Sequence, residues 1–150
     1  MKLKTGLMLI VAICMLYACQ TQSKQVPIIG TWELIAATAT EKDSTFSTFN
    51  PKLRIIKIIN PTHFAFLNHD LGQGKDSASA TFAAGGGDYT LVDSVYTEHL
   101  EYYIDRVWEN NTFPFVVTVK NDTLIQKGVE KVEKLGIERL IVEKYKRVKK

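Results

Sequence analysis

The stretch Phe113-Pro114-Phe115-Val116-Val117-Thr118-Val119-Lys120, followed by Asn121-Asp122 and then Thr123-Leu124-Ile125-Gln126-Lys127, decides the fold. Phe113, Phe115, Val117 and Val119 alternate with Pro114, Val116, Thr118 and Lys120, the period of two that puts one set of side chains on each face of a strand. Asn121-Asp122 supplies turn residues, and Thr123 begins the returning strand. Outward from this hairpin the same grammar repeats. Residues 30–40 are rich in Thr and apolar residues, and 53–59 are nearly all branched aliphatic until Asn60-Pro61 interrupts. Phe64 and Phe66 then share a face in 62–68. Residues 78–84 run into Gly85-Gly86-Gly87, best read as a bulge or turn where a strand bends, and Asp93-Ser94 separates 89–92 from 95–104.

Short strands joined by tight turns, without crossover helices, specify an all-β antiparallel domain. Eight or nine such strands fit between Ile28 and Val148, and eight close naturally into an up-and-down barrel; a β-sandwich of the same strands is the alternative. The end of the chain is ambiguous. Ile137, Ile141, Tyr145 and Val148 fall on one helical face, while Gly136 and the β-branched Ile137, Ile141, Val142 and Val148 favour a turn and a strand. Residues 129–135 read as a short helical turn or a charged loop.

The whole chain has 150 residues and a net charge of +3. Residues 7–18 form twelve consecutive non-polar or aromatic residues behind Lys2 and Lys4, too short for the ~20 that span a bilayer. This is the pattern of an export signal. Residues 1–18 hold two of the nineteen bases and none of the sixteen acids, so the remainder is almost neutral. The cluster Lys144, Lys146, Arg147, Lys149 and Lys150 reads as a solvated terminus. A near-neutral chain without an aromatic-studded basic stripe excludes nucleic acid as the expected partner.

Both cysteines, Cys14 and Cys19, lie within or at the end of the signal, leaving no internal disulfide in the remainder. Leu16-Tyr17-Ala18-Cys19 resembles the bacterial lipobox. That resemblance implies removal of 1–18 and acylation of Cys19; the polar residues that follow read as a tether, giving a lipidated cysteine and tether over 19–27 and the barrel domain over 28–150. It implies an exported protein held in a lipid membrane through Cys19, with the outer membrane expected because Gln20 follows the cysteine; the facing side is not legible. Two or more acyl chains anchor stably where one does not.

Gly30-Thr31-Trp32 resembles the Gly-x-Trp signature of lipocalins, whose tryptophan plugs the closed end of the barrel beneath an arginine from the end of the domain; Arg147 is placed to be that partner. Gly30-Thr31-Trp32-Glu33-Leu34, Thr62-His63-Phe64, Gly85-Gly86-Gly87-Asp88-Tyr89-Thr90-Leu91, Tyr96-Thr97-Glu98-His99, Asp122-Thr123-Leu124-Ile125-Gln126 and Tyr145-Lys146-Arg147-Val148 are similar, in this order, to phrases of small lipocalin-like lipoproteins of Bacteroidetes. Relatives tend to carry Trp where this chain has Tyr145. The resemblance implies a calycin-type barrel and an apolar or amphipathic ligand, with no catalytic residue and no cofactor.

The residues themselves point the same way on chemistry. His63, His69 and His99 are the only histidines, and His63 and His69 lie about 20 Å apart on a continuous strand at roughly 3.3 Å per residue, too far to share a metal. His-Glu-x-x-His and paired-cysteine spacings are absent from the sequence. On a strand Tyr96, Glu98, Leu100 and Tyr102 share one face and Thr97, His99, Glu101 and Tyr103 the other, so Glu98 and Glu101 are not a carboxylate pair. His99 and Glu101 share a face but lack a nucleophile. The expected function is therefore binding rather than catalysis, with an uncharacterised hydrolase as the enzymatic alternative. Candidate cavity residues are Phe64, Phe66, Phe82, Tyr96, Tyr103, Phe113 and Phe115, with Glu98 or His99 as polar anchors; one strand face only can point inward. The alternative is a structural or interaction module of the envelope whose barrel is filled by its own side chains. A structure with no interior cavity above roughly 300 Å³, the low end of ligand pockets, would sink the binding reading.

Overall fold

The computed structural model describes residues 25–75, 77–78 and 80–149. The signal segment and Cys19 lie outside the described residues. Nine strands follow in order: β1 (Gly30–Glu41), β2 (Ser44–Ser47), β3 (Leu53–Ile59), β4 (His63–Asp70), β5 (Phe82–Val92), β6 (Val95–Tyr103), β7 (Asn111–Lys120), β8 (Thr123–Val132) and β9 (Ile137–Arg147). Every pairing is antiparallel. The order β1-β3-β4-β5-β6-β7-β8-β9 returns to β1 through Trp32↔Arg147 to Thr40↔Leu140, so eight strands close a barrel and no sandwich forms. β2 lies outside the ring, paired with Thr38–Glu41 of β1.

The ambiguous terminus is a strand, and the register gives the reason. β9 pairs along its whole length with β8 and over most of it with β1, so its backbone groups are satisfied by closure of the barrel. Of 129–135, Val129 to Val132 continue β8, and Glu133–Leu135 make one 3-10 turn ended by Gly136 in the left-handed region at φ 64°. The β7–β8 turn has positive φ at both Asn121 (50°) and Asp122 (56°), the requirement of the two-residue hairpin that matches strand twist.

Two bulges set which side chains enter the barrel. In β1 the pairing steps from Leu34↔Tyr145 to Ala36↔Lys144, leaving Ile35 extra. The inward set thereby changes from Trp32 and Leu34 to Ala37 and Ala39, all buried. In β6 the pairing steps from Gly87↔Leu100 to Gly86↔Tyr102, leaving Glu101 extra. A Cβ at Gly87 would collide with the His99 carbonyl and one at Gly85 with the Phe66 ring, so the glycine run permits this close approach, as a bend and not as a phosphate loop.

One end of the barrel is shut. Trp32 is fully buried, donates from Nε1 to the Ile28 carbonyl at 2.7 Å, and lies 4.0 Å beneath the Arg147 guanidinium. Arg147 also donates to the carbonyls of Ile29 (2.8 Å) and Pro27 (3.0 Å). Gly30 has φ 145°, and a Cβ there would strike the Arg147 guanidinium, which explains Gly-x-Trp in physical terms: the glycine leaves room for the arginine that covers the tryptophan. Of the segment read as a tether, residues 25–27 are among those described. Ile28 is 1% exposed and Gln25 donates to the Leu91 carbonyl, so the chain joins the barrel by residue 25.

Candidate functional site

Above the plug, the barrel interior is polar. Ile55, Lys57 and Ile59 share the inward face of β3, and Leu124 and Gln126 that of β8. Lys57 Nζ donates to Glu98 Oε1 at 2.7 Å and to Gln126 Oε1 at 3.1 Å. All three side chains are buried. Lys57 also lies 5.8 Å over the Phe64 ring and 5.4 Å over the Tyr145 ring. Burial opposes its charge, but Glu98, and behind it Glu143 and Glu130, outweigh that and hold its pKa above the usual lysine value. Tyr145 donates to Glu143 Oε2 at 2.7 Å. Burial, reinforced by Glu143, raises the Tyr145 pKa well above 10; burial and the nearby Glu98 do the same to Tyr96, so both phenols stay neutral.

Towards the open end a cavity of about 250 Å³ begins at this layer. Its walls are aromatic: Phe66, Tyr103, Trp108 and Phe113 follow one another with ring centroids 5.7 to 6.3 Å apart. Trp108 is held by the 3-10 turn Arg106–Trp108, whose first residue follows Asp105 as cap. Leu34, Ile55, Leu100 and Ile141 complete the apolar lining. Lys57, Glu98, Gln126 and Glu143 form the polar floor, and Asn68, Glu130 and Arg139 stand higher. Arg139 Nε donates to Glu130 at 2.7 Å while its guanidinium lies 5.9 Å from the Trp108 ring. Burial raises the Glu130 pKa in spite of that pairing, and Glu143 and Glu98 push the same way.

Phe66, Glu98, Tyr103, Phe113 and Phe115 line the cavity as expected from sequence. Phe64 and Tyr96 are buried below it, in edge contact at 6.4 Å. Two candidates belong elsewhere. Phe82 is 62% exposed, its ring against His69 on the outer wall. His99 also faces outward, 3.1 Å from the Thr112 hydroxyl, because Glu98 takes the inward position. Tyr103 enters despite sharing the sequence parity of His99, because the bulge at Glu101 reverses the faces. Trp32 and Arg147 form the expected closing pair, directly opposite in register.

Lys57, Asn68, Trp108, Gln126, Glu130, Arg139, Glu143 and Tyr145 are not among the cavity residues expected from sequence. For Lys57 a signal existed, since it is a lone polar residue between Ile55 and Ile59 on one strand face; Gln126 stands between Leu124 and Gly128, a weaker one.

Asp70, at the cavity end of β4, accepts from the amides of Gly74 (3.0 Å) and Thr81 (3.1 Å), pinning the loop that follows. These bonds lower its pKa below the usual carboxylate value. A depressed carboxyl pKa contributes stability above the unfolded value of about 3.9, lost as pH falls through the folded pKa. Amide exchange at Gly74 and Thr81 should therefore accelerate relative to the barrel amides as pH is lowered through that range, after correction for intrinsic rates; unchanged relative protection would show that Asp70 does not hold the loop. Asp70→Asn should remove the pH dependence.

Among the described residues no His, Cys, Asp and Glu side chains are grouped to hold a metal ion. No protein-family model matches the chain, and no curated protein matches it.

Proposed function

We propose that this protein is a binding barrel: an exported lipoprotein, anchored through acylated Cys19 and related to the lipocalins, that holds one small amphipathic molecule in the cavity above the Lys57–Glu98–Gln126 layer. The supporting observation is a polar floor beneath an aromatic wall, open at one end. Ionised groups inside a barrel each cost several kcal/mol of desolvation, and well-packed apolar side chains of similar volume commonly serve stability as well or better. A few placed polar groups in an apolar pocket serve orientation of a ligand.

The volume narrows the cargo. About 250 Å³ is under the roughly 300 Å³ at which ligand pockets begin, so the cavity fails the volume criterion set for an ordinary ligand pocket, and the binding reading is proposed only for a smaller molecule. The space equals that of about eight waters at roughly 30 Å³ each, which suits a molecule the size of one substituted ring. The same volume favours the second reading, an envelope module with a barrel largely filled by its own side chains. Native mass spectrometry of protein isolated from its host separates them: a one-to-one adduct of low mass supports binding, and the mass of lipidated polypeptide alone supports the module.

The reading assigns no catalytic residue; His99 and Glu101, the one base-and-carboxylate pair considered, are on the outer wall. Membrane attachment is a separate claim. Cys19→Ser should move the protein from the membrane fraction to the soluble envelope fraction, and retention with the membrane would rule out the lipid anchor.

A further inference from the structure

Building on the binding reading, we propose that the cavity selects an organic cation, a primary ammonium carried on an aromatic or short aliphatic body. The charge inventory is the first ground. Three carboxylates line the cavity, Glu98, Glu130 and Glu143, against two cations, Lys57 and Arg139. Lys57 is committed to Glu98 and Gln126, and Arg139 to Glu130. Glu143 acts on Lys57 only at a distance and forms no salt bridge among the described residues; the neutral Tyr145 hydroxyl is its hydrogen-bond donor.

The second ground is hydrogen-bonding capacity that the fold leaves unused. Asn68 lines the same cavity, and its Oδ1 is a buried acceptor with no partner. An ammonium brings three donors, no acceptor and one positive charge, which complements an unpaired carboxylate and an orphan amide oxygen. The third ground is the wall of Phe66, Tyr103, Trp108 and Phe113, whose ring faces attract cations and pack an apolar body. The protein already uses these interactions on its own cations, with Lys57 over Phe64 and Tyr145 and Arg139 over Trp108. An anion would find Arg139 as its one ion-pairing donor at the mouth, already engaged with Glu130. The raised pKa of Lys57, held up against burial by Glu98, Glu143 and Glu130, reports the same negative interior.

The test is isothermal titration calorimetry with three isosteric probes: 2-phenylethylamine, 2-phenylethanol and phenylacetate, on the parent and on Glu143→Gln. The expected result is binding of the amine at least tenfold tighter than either other probe, and loss of most of that preference in Glu143→Gln. Comparable or tighter binding of the alcohol or the acid would overturn the cation assignment while leaving the pocket standing. Absence of binding by all three at millimolar concentration would remove both. Should Glu143→Gln fail to fold, Asn68→Leu provides the second variant, and an unchanged amine preference in it would equally count against the assignment.

Discussion

Lys57→Met should lower the unfolding free energy by about 3–5 kcal/mol, the cost of leaving a buried carboxylate without its partner. The effect is asymmetric. Lys57 Nζ satisfies Glu98 at 2.7 Å and Gln126 at 3.1 Å, with side-chain exposures of only 5% and 9% for the ion pair, so water does not replace it. Removing both charges in Lys57→Met/Glu98→Met should restore part of the loss. The remaining deficit should be about 1–3 kcal/mol, because the Gln126 oxygen still loses its donor. Urea unfolding of the two single variants and the double variant gives the coupling. A single-variant loss below about 1 kcal/mol would place the pair in the range of exposed salt bridges and contradict a dehydrated polar layer.

Trp32→Ala should cost a similar amount, about 3–5 kcal/mol, for a different reason. The ring is fully buried at the closed end, and its removal leaves a cavity bounded by Ile28, the Arg147 guanidinium and the neighbouring core. Arg147 also bonds the Pro27 and Ile29 carbonyls, so part of its contribution survives loss of the tryptophan. A double-mutant cycle of Trp32→Ala and Arg147→Ala should give a coupling of about 0.5–2 kcal/mol, the range of a cation held over an indole face. Trp32→Phe keeps most of the packing and forfeits the Nε1 bond to Ile28, so it should lose less than Trp32→Ala. Strictly additive single losses would mean that the stack does not contribute to closing the barrel.

The barrel was legible because alternation survives in its strands. Phe113, Phe115 and Val117 are buried while Pro114 and Val116 are exposed, as the period of two requires. Gly30-Thr31-Trp32 carried its meaning in three residues, since the glycine's positive φ and missing Cβ are demanded by the arginine above. Alternation failed where a strand gains a residue: the bulge at Glu101 turns Tyr103 inward and Tyr102 outward, and no local composition marks it except the glycines on the partner strand. Phe82 was misplaced because an aromatic residue at a strand start carries no information on which wall it faces. The polar floor was the largest omission. Lys57 sits among five branched or long aliphatic residues in Leu53–Ile59, where a charge on the inward face is identified only by the parity of Ile55 and Ile59. Glu130 and Arg139 were hidden in charged stretches that read as surface, though register pairs them directly across β8 and β9.

That small molecules enter the barrel from the open end is tested most directly by methyl NMR, titrating 2-phenylethylamine and, in parallel, 2-phenylethanol into the protein. Entry predicts that the methyls of Leu34, Ile55, Leu100 and Ile141, which line the cavity, shift together and saturably with at least one probe, while those of Ile58, Val116 and Ile125 on the outer wall do not. Shifts confined to the outer wall, or none among the four cavity methyls with either probe, would contradict a binding site inside the barrel.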